Sequence, residues 1–573
     1  MVLALKKPTI ALVLLVFVAG CVDPGELSMD TLNKYQRSLW RRGPQDRVAG
    51  EGLAFLEPAD DPKLPELKIH KRAEQRPYVK LDLDSAILRT LWHNLDIRVI
   101  SYDPAIARQD MIRAASAFDV LLNAGFSYTN TNRQPNSVIG GESETREFNV
   151  GLSQRLVTGT TWSLAWTQTR TWDGGGFSLL NTAYEPEVSL SVTQPLLRNA
   201  WPEFNLAELR IARLNRDISE QQFRQQVEDT INEVVNVYWQ LIQARRDLAI
   251  QKRLLQLTET TFERVKARKE VDVTDVEIGQ TKAALEGRRA TMVRVVKRIF
   301  DLEDRVKRLL ADPTLNVTSN VEIVPTTDLT QTLVSFDQGD QLLTALKYNP
   351  QLEQLRTAIA IAGVNVEVAK NQLLPQLDLT VTGGYQGLGS SRQRGYENLG
   401  SLDYFSSSIA LSFEYPIGNR LREAELRRAR LERLRAITEL QSAADEVAIA
   451  VKERLREIQA AWQEYQAQKL AAAAAQMQVT ALQEREENVA KLTPEFLQVK
   501  LAAQETLAAA ERAVIQSLVA YNVAIVDLRR VTGTVTEMPR VKIAMPLATR
   551  REPLPISLPE VDMTEPETQP AEK

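Results

Sequence analysis

The sequence predicts a mixed α/β fold in which one order of elements occurs twice along the chain. Three observations support this prediction. Similar segments recur at fixed offsets, several short segments alternate apolar and polar residues, and two long segments contain almost no glycine or proline. These patterns are typical of internal repeats, of strands with one apolar face and of long helices, respectively.

The N-terminal residues have the layout of a secretory signal peptide. Lys6 and Lys7 form a small positive region, and the apolar stretch that follows, residues 8–19, is too short to span a bilayer as a stable helix. We therefore expect residues 1–20 to be a signal peptide.

The only cysteine, Cys21, follows this apolar stretch in the sequence "VAGC". This sequence resembles the bacterial lipobox, after which a lipoprotein is cut so that the cysteine becomes the first residue and carries acyl chains such as palmitate. The resemblance implies lipidation of Cys21. The alternative is an ordinary buried cysteine in a signal or anchor helix. The next residue is Val22 rather than Asp, which by analogy with enterobacterial sorting permits passage to the outer membrane.

The repeat is visible in two pairs of matching segments. "SAILRTLWHNLDI" (85–97) aligns with "DQLLTALKYNPQL" (340–352) at an offset of 255 residues, and "LSVTQPL" (190–196) aligns with "LSFEYPI" (411–417) at an offset of 221. The first half therefore contains 34 extra residues between its two matching segments.

The alternating segments predict four strands in the first half and two in the second. Apolar residues alternate with polar ones over 120–129 and, at the offset of 255, over 377–383. The extra residues of the first half include 147–172, which alternates on both sides of Gly159 and so predicts a hairpin.

Long helical hairpins follow each set of strands. Residues 203–269 and 420–487 predict helices of about 100 Å at 1.5 Å per residue, and each is followed by a short break and a returning helix that ends near 312–313 or 532–533. Heptad spacing predicts a coiled-coil core. Its members are Val451, Leu455, Ile458, Trp462 and Tyr465 in the second half, and Ile231, Val234, Val235, Tyr238, Leu241 and Ile242 in the first.

This order of elements resembles the TolC family of outer-membrane efflux proteins. The resemblance covers roughly residues 82–533 and is carried by "ALKYNPQL", "AKNQLLPQLDLTVTGGY" and "LSVTQPLL". It implies a mixed α/β membrane protein, in which a trimeric transmembrane β-barrel is continued by a long periplasmic α-helical barrel built from two internal repeats. The implied partners are two further copies of the chain, a periplasmic adaptor (membrane fusion) protein, an inner-membrane pump of the RND or ABC type, and outer-membrane lipid.

The domain boundaries follow from the repeat and from the resemblance. The predicted order is a signal peptide (1–20), a lipidated N-terminal tether (21–81), a first efflux repeat (82–313), an inter-repeat linker (314–337), a second efflux repeat (338–533) and a Pro/Glu-rich C-terminal tail (534–573).

The strand number departs from the family pattern. Well-known members have four strands per copy and a twelve-stranded barrel, whereas this sequence predicts six strands. Two alternatives are open: the barrel has eighteen strands, or the added hairpin lies outside it, on the extracellular rim or folded into the lumen.

The breaks between the paired helices are the candidate contacts of the adaptor, because the resemblance implies that the tips of the helical hairpins lie at the periplasmic end. The candidate contact residues are Lys269, Val271, Val273, Val489, Ala490, Lys491 and Leu492. The family's constricting aspartates near the second tip are not reproduced. The "TDV" after the first tip does match, so Asp275, with Thr274, is the candidate pore constriction. The alternative for Asp275 is an exposed carboxylate favoured by the helix dipole.

The resemblance thus implies a passive exit channel of a tripartite efflux or type I secretion system in the outer membrane. The alternative is a periplasmic coiled-coil scaffold or adaptor lipoprotein without a pore. An enzyme is not expected, since the chain has only two histidines and no catalytic, metal-binding or cofactor-binding motif. Basic and acidic residues nearly balance, 70 against 74, so no nucleic-acid partner is expected. After the signal peptide no segment reaches 18 consecutive apolar residues, so any crossing of a membrane would use strands.

Overall fold

The computed structural model describes residues 67–72, 75–132, 142–174, 179–270, 273–488 and 493–537. Its strands are β1 (Ile69–Arg72), β2 (Gln75–Leu81), β3 (Leu121–Asn132), β4 (Glu142–Arg155), β5 (Thr161–Asp173), β6 (Thr182–Pro195), β7 (Glu322–Pro325), β8 (Gln376–Gln386) and β9 (Phe405–Glu414). Its α-helices are α1 (Leu83–His93), α2 (Leu95–Ile100), α3 (Tyr102–Ala115), α4 (Pro202–Asn205), α5 (Ala207–Ala267), α6 (Asp275–Leu310), α7 (Gln338–Tyr348), α8 (Pro350–Gln372), α9 (Arg392–Gly400), α10 (Arg420–Asn488) and α11 (Pro494–Thr532).

Six strands form one antiparallel sheet in the order β3-β4-β5-β6-β8-β9. The prediction of four strands in the first half and two in the second is confirmed. So is the hairpin around Gly159, where β4 turns into β5. Gly159 has a φ of +89°, and a Cβ at this position would lie 2.5 Å from the carbonyl oxygen of Asn199. The turn therefore requires glycine both for its backbone conformation and for space.

The long helices form two hairpins, α5 with α6 and α10 with α11. Both sequence-predicted apolar stripes face the interior: Ile231 and Tyr238 in α5, and Val451, Ile458 and Tyr465 in α10, are all buried. Most helical stability in proteins comes from packing of an apolar face, so burial of these stripes supplies much of the stability of the 61- and 69-residue helices. Within the described ranges, we find no helix that is both long enough and apolar enough to span a membrane.

A second, three-stranded sheet was not predicted from the sequence. Its order is β1-β2-β7, and β2 pairs in parallel with β7, so that Tyr78 lies opposite Glu322. Two of its strands lie in the predicted tether (21–81) and the third lies in the predicted linker (314–337). Val79, Leu81 and Ile323 are fully buried and join the same apolar core as helix α5.

A buried carboxylate fastens this small sheet to the helices. Glu303 of α6 is fully buried and contacts Arg76 of β2 at 3.1 Å and Arg245 of α5 at 2.7 Å. Arg245 also contacts Glu322 of β7 at 2.8 Å. Burial raises the pKa of the Glu303 carboxyl, against the lowering effect of the two arginines. The ion pairs therefore compensate for removing this charge from water, and breaking one of them would be costly.

Candidate functional site

The six-stranded sheet has one apolar and one polar face. Residues directly opposite each other on antiparallel strands lie on the same face, so the register defines rows that cross the whole sheet. One apolar row consists of Leu122, Leu152, Leu164, Leu190, Gly383 and Ser407. A second apolar row consists of Ala124, Val150, Trp166, Val188, Tyr385 and Phe405. One polar row consists of Asn123, Gly151, Ala165, Ser189, Gly384 and Ser406. A second polar row consists of Leu121, Ser153, Ser163, Ser191, Thr382 and Ser408.

The apolar face is open to its surroundings in the single chain. Leu122 is 72% exposed, Ile409 77% and Phe413 67%. Large continuous apolar surfaces of this kind mark contacts with a partner or with lipid. Along β8 the apolar positions run from Leu377 to Tyr385, about 26 Å at 3.3 Å per residue. For a strand tilted by about 40° this length spans about 20 Å of the apolar height of about 25 Å found in outer-membrane proteins.

The apolar face ends in a layer of aromatic and charged side chains on the side away from the helices. Arg146 and Arg170 both contact Glu144, at 2.5 and 3.3 Å. Their guanidinium groups lie over the rings of Tyr128 at 5.5 Å and Tyr184 at 6.0 Å. Aromatic rings with a polar rim are typical of the boundary between hydrocarbon and water.

The polar face carries three carboxylates near the same end. Glu147 of β4 and Glu185 of β6 lie in one row of the register, and Glu187 lies in the next row towards the helices. In the part of the chain that the structure describes, none of the three is within ion-pair distance of a cation. This face is therefore negatively charged at that end.

Among the described residues, no further strand pairs with either edge of the sheet. The outer edges belong to β3 and β9, and every residue of β9 is exposed. Over the ranges that the structure describes, the sheet is thus open. Unpaired N–H and C=O groups are costly in hydrocarbon, so an apolar sheet of this kind needs a further strand at each edge before it can lie in lipid.

The first helical tip places two of the predicted site residues at a helix start. Thr274 is the N-cap of α6, and its capping box with Glu277 is complete. Asp275, the first residue of α6, is 84% exposed in its side chain and contacts Lys269 at 2.8 Å. The helix-dipole alternative for Asp275 and its candidate role in a constriction are both compatible with this position.

Val273 lies in the same loop, but its side chain is buried. It packs against Val265 of α5 and Leu497 of α11 and so connects the two helical hairpins. A partner that touches the surface of the chain would reach little of this side chain, and a contact of Val273 with an adaptor stays a prediction. The remaining predicted residues, Cys21, Val271, Val489, Ala490, Lys491 and Leu492, lie outside the described residues.

Sequence reasoning missed a set of polar contacts near the tips. Lys500 of α11 is buried and contacts Glu486 of α10 at 2.6 Å, and Glu486 also contacts Arg264 of α5 at 3.2 Å. Nearby, Arg288 of α6 donates to Gln504 at 3.2 Å, and burial lowers the pKa of its guanidinium. The heptad pattern gave no signal for these side chains, because each partner lies on a different helix.

Comparison with solved structures identifies the fold. The chain is similar to a membrane protein from Pseudomonas aeruginosa, with 17% identity and a TM-score of 0.60 over 79% of this chain and 93% of that one. It is also similar to the outer membrane protein VceC from Vibrio cholerae, with 15% identity and a TM-score of 0.58 over 79% and 96%. A third similar structure is the open state of the MtrE outer membrane channel from Neisseria gonorrhoeae, with 15% identity and a TM-score of 0.58 over 79% and 89%.

No protein-family model matches the chain, and no curated protein sequence is similar to it. The shared architecture nevertheless extends over most of the chain and nearly all of each solved structure. This confirms the resemblance found in the sequence: the chain has the fold of the TolC-like outer-membrane channels.

Proposed function

We propose that this protein is the outer-membrane exit channel of a tripartite efflux or type I secretion system, and that it acts as a passive conduit. The observation that carries the proposal is the six-stranded sheet. It has one apolar face and one polar face, its two edges have no partner strand among the described residues, and it is attached to two long helical hairpins.

Three copies would complete the structure in the membrane. The edge strand β3 of one copy would pair with β9 of the next, so that no main-chain polar group is left unpaired in lipid. The apolar rows would then face hydrocarbon and the polar rows a water-filled lumen. The helical hairpins would extend the duct into the periplasm, and no chemistry is required of the chain itself.

The remaining parts of the proposal follow the sequence. Cys21 would carry acyl chains that anchor each copy to the outer membrane. The tips, with Lys269 exposed at the first of them, would contact a periplasmic adaptor, and an RND- or ABC-type pump in the inner membrane would drive transport. The candidate constriction is formed by Asp275 with Thr274, since three copies would bring their Asp275 carboxylates around one axis.

Single-channel recording tests the proposal with two matched substitutions on one strand. Val381 and Thr382 are neighbours near the middle of β8 and belong to opposite faces of the sheet. A lysine on the lipid face at mid-membrane costs about 2–4 kcal/mol, whereas a lumen-facing lysine is tolerated. Val381→Lys should therefore reduce the yield of inserted channels at least tenfold, and Thr382→Lys should insert normally with an altered ion preference.

The same preparation distinguishes the alternative function. Purified full-length protein that forms trimers and conducts in planar bilayers supports the channel. A water-soluble single subunit with no conductance, in which both lysine variants behave alike, would overturn the proposal in favour of a scaffold without a pore.

A further inference from the structure

We infer that the extra hairpin β4–β5 is part of the membrane wall itself, so that three copies enclose the pore with eighteen strands rather than twelve. This inference rests on the proposed function, because it assumes that the sheet lies in a membrane as a trimer. It concerns where the extra residues of the first half, which have no counterpart in the second half, lie in the assembled protein.

The strand pairing places the hairpin between two strands that match the second half. The sequence offsets relate β3 to β8 and β6 to β9. In the second half β8 and β9 pair directly. In the first half β4 and β5 separate β3 from β6, and each neighbouring pair is hydrogen-bonded along most of its length. A hairpin outside the wall would instead leave β3 to pair with β6.

The side chains of the hairpin continue both faces of the sheet at the same level. Val150, Leu152, Leu164 and Trp166 lie in the apolar rows. The rings of Trp166 and Phe148 pack edge to face, with their centroids 5.7 Å apart. In a hairpin folded into the lumen, these side chains would be in water.

The polar face of the hairpin is built from small residues. Gly151, Ser153, Ser163 and Ala165 lie in the polar rows, in line with the serines and glycines of the other strands. Such side chains leave a lumen open. Over these rows the hairpin therefore has the two-sided composition of a wall strand.

Eighteen strands enclose a much wider pore than twelve. With strands about 4.8 Å apart and tilted by about 40°, twelve strands close at a backbone diameter of about 24 Å and eighteen at about 36 Å. An eighteen-stranded wall also belongs to the size class that holds an open aqueous channel. The added hairpin thus sets the bore of the membrane section.

Two cysteine pairs that share Ser191 distinguish a hairpin that lies within the membrane wall (the wall arrangement) from a hairpin that lies outside it. Ser163 of β5 lies directly opposite Ser191 of β6, so Ser163→Cys with Ser191→Cys should form a disulfide in the trimer on mild oxidation. If β3 paired with β6 as β8 pairs with β9, Asn123 would lie opposite Ser191. In the wall arrangement these two positions are three strands apart, about 14 Å, and Asn123→Cys with Ser191→Cys should not react.

The single variant Ser191→Cys controls for reaction with Cys21. Efficient bonding of the Asn123–Ser191 pair, without bonding of the Ser163–Ser191 pair, would overturn the inference. All three positions are small or polar and on the polar face of the sheet, so the substitutions cause little change in packing.

Quenching of tryptophan by lipid provides a second measurement. A variant that keeps Trp166 and has phenylalanine at the other tryptophans is placed in vesicles of phosphatidylcholine brominated in its acyl chains. Trp166 should lose at least half of its fluorescence relative to unbrominated vesicles. Val381→Trp in a tryptophan-free chain is the matched reporter on β8, which is a wall strand in either arrangement.

The two reporters separate the inference from the proposed function. If neither is quenched, the sheet does not lie in lipid and the proposed function fails. If Val381→Trp is quenched and Trp166 is not, the membrane sheet stands and the inference about the hairpin is wrong. Quenching of both supports the eighteen-stranded wall, and Thr167→Trp, on the opposite face of β5, should then remain bright.

Discussion

The hydroxyl of Tyr238 connects helix α5 to the junction between the small sheet and the linker. It donates a hydrogen bond to the Leu81 carbonyl oxygen at 2.9 Å and accepts from the N–H groups of Thr326 and Thr327 at 3.2 and 3.1 Å. The Thr326 N–H also donates to the Leu81 carbonyl oxygen at 3.0 Å. In Tyr238→Phe, the Thr327 N–H is therefore the group that loses its acceptor.

The expected cost follows from that one group. A buried donor left without a partner costs about 1–3 kcal/mol, and one factor of ten in an equilibrium corresponds to about 1.4 kcal/mol. Because Tyr238 is fully buried, water cannot easily replace the hydroxyl. We expect the amides of residues 322–328 to exchange about 5- to 150-fold faster with deuterium in Tyr238→Phe, as measured by mass spectrometry of the assembled protein.

Tyr521→Phe is the matched control. The Tyr521 hydroxyl donates to the Thr332 carbonyl oxygen and accepts from the Val334 N–H, both at 2.9 Å. This variant should accelerate exchange at residues 329–336 and leave 322–328 unchanged. Unchanged exchange at 322–328 in Tyr238→Phe would refute the reasoning, and so would equal acceleration of both segments in both variants, which would indicate general loosening.

Three other predictions concern a buried acid, a helix seam and the polar face of the sheet. Burial raises the pKa of Glu228 to about 7. Its protonation should therefore stabilise the fold by about 3 kcal/mol below pH 4.5, and this stabilisation should be lost as the pH rises through about 7. If the melting temperature of Glu228→Gln depended on pH as that of the wild type does, the prediction would be contradicted. Ile458→Ala should cost about 2–5 kcal/mol and lower the melting temperature, because Ile458 is only 3% exposed; an unchanged melting temperature would show that the seam is not a packed core. Glu147→Gln with Glu185→Gln should lower the cation-to-anion permeability ratio, and an unchanged reversal potential would place these carboxylates outside the lumen.

Local periodicity predicted the strands and the buried helix faces. Alternation around Gly159 indicated the β4–β5 hairpin, and the spacing of Val451, Ile458 and Tyr465 indicated the buried face of α10. In each case the pattern lies within one element and follows from the pitch of a helix or the pleat of a strand. Such patterns do not depend on which other element covers the apolar face.

Features made by distant residues gave no such pattern. The sheet β1-β2-β7 joins short segments that contain arginine, glutamate and proline and that lie far apart in the sequence. Burial of Val273 likewise depends on Leu497 of the other hairpin. Tyr238 was predicted as part of an apolar stripe, but the role of its hydroxyl depends on Leu81 and Thr327, which come from outside the helix.

The parallel pair β2–β7 also constrains the order of folding. Its partners are separated by 244 residues, for example Tyr78 and Glu322. A chain that emerges N-terminus first therefore holds β2 without β7 until the four strands of the first half and a complete helical hairpin have followed. Contacts of such long sequence separation slow folding. A chain that stops after α6 would lack Ile323, so Val79 and Leu81 would lose one of the side chains that bury them. Proteases would therefore cleave such an incomplete molecule more readily than the complete one.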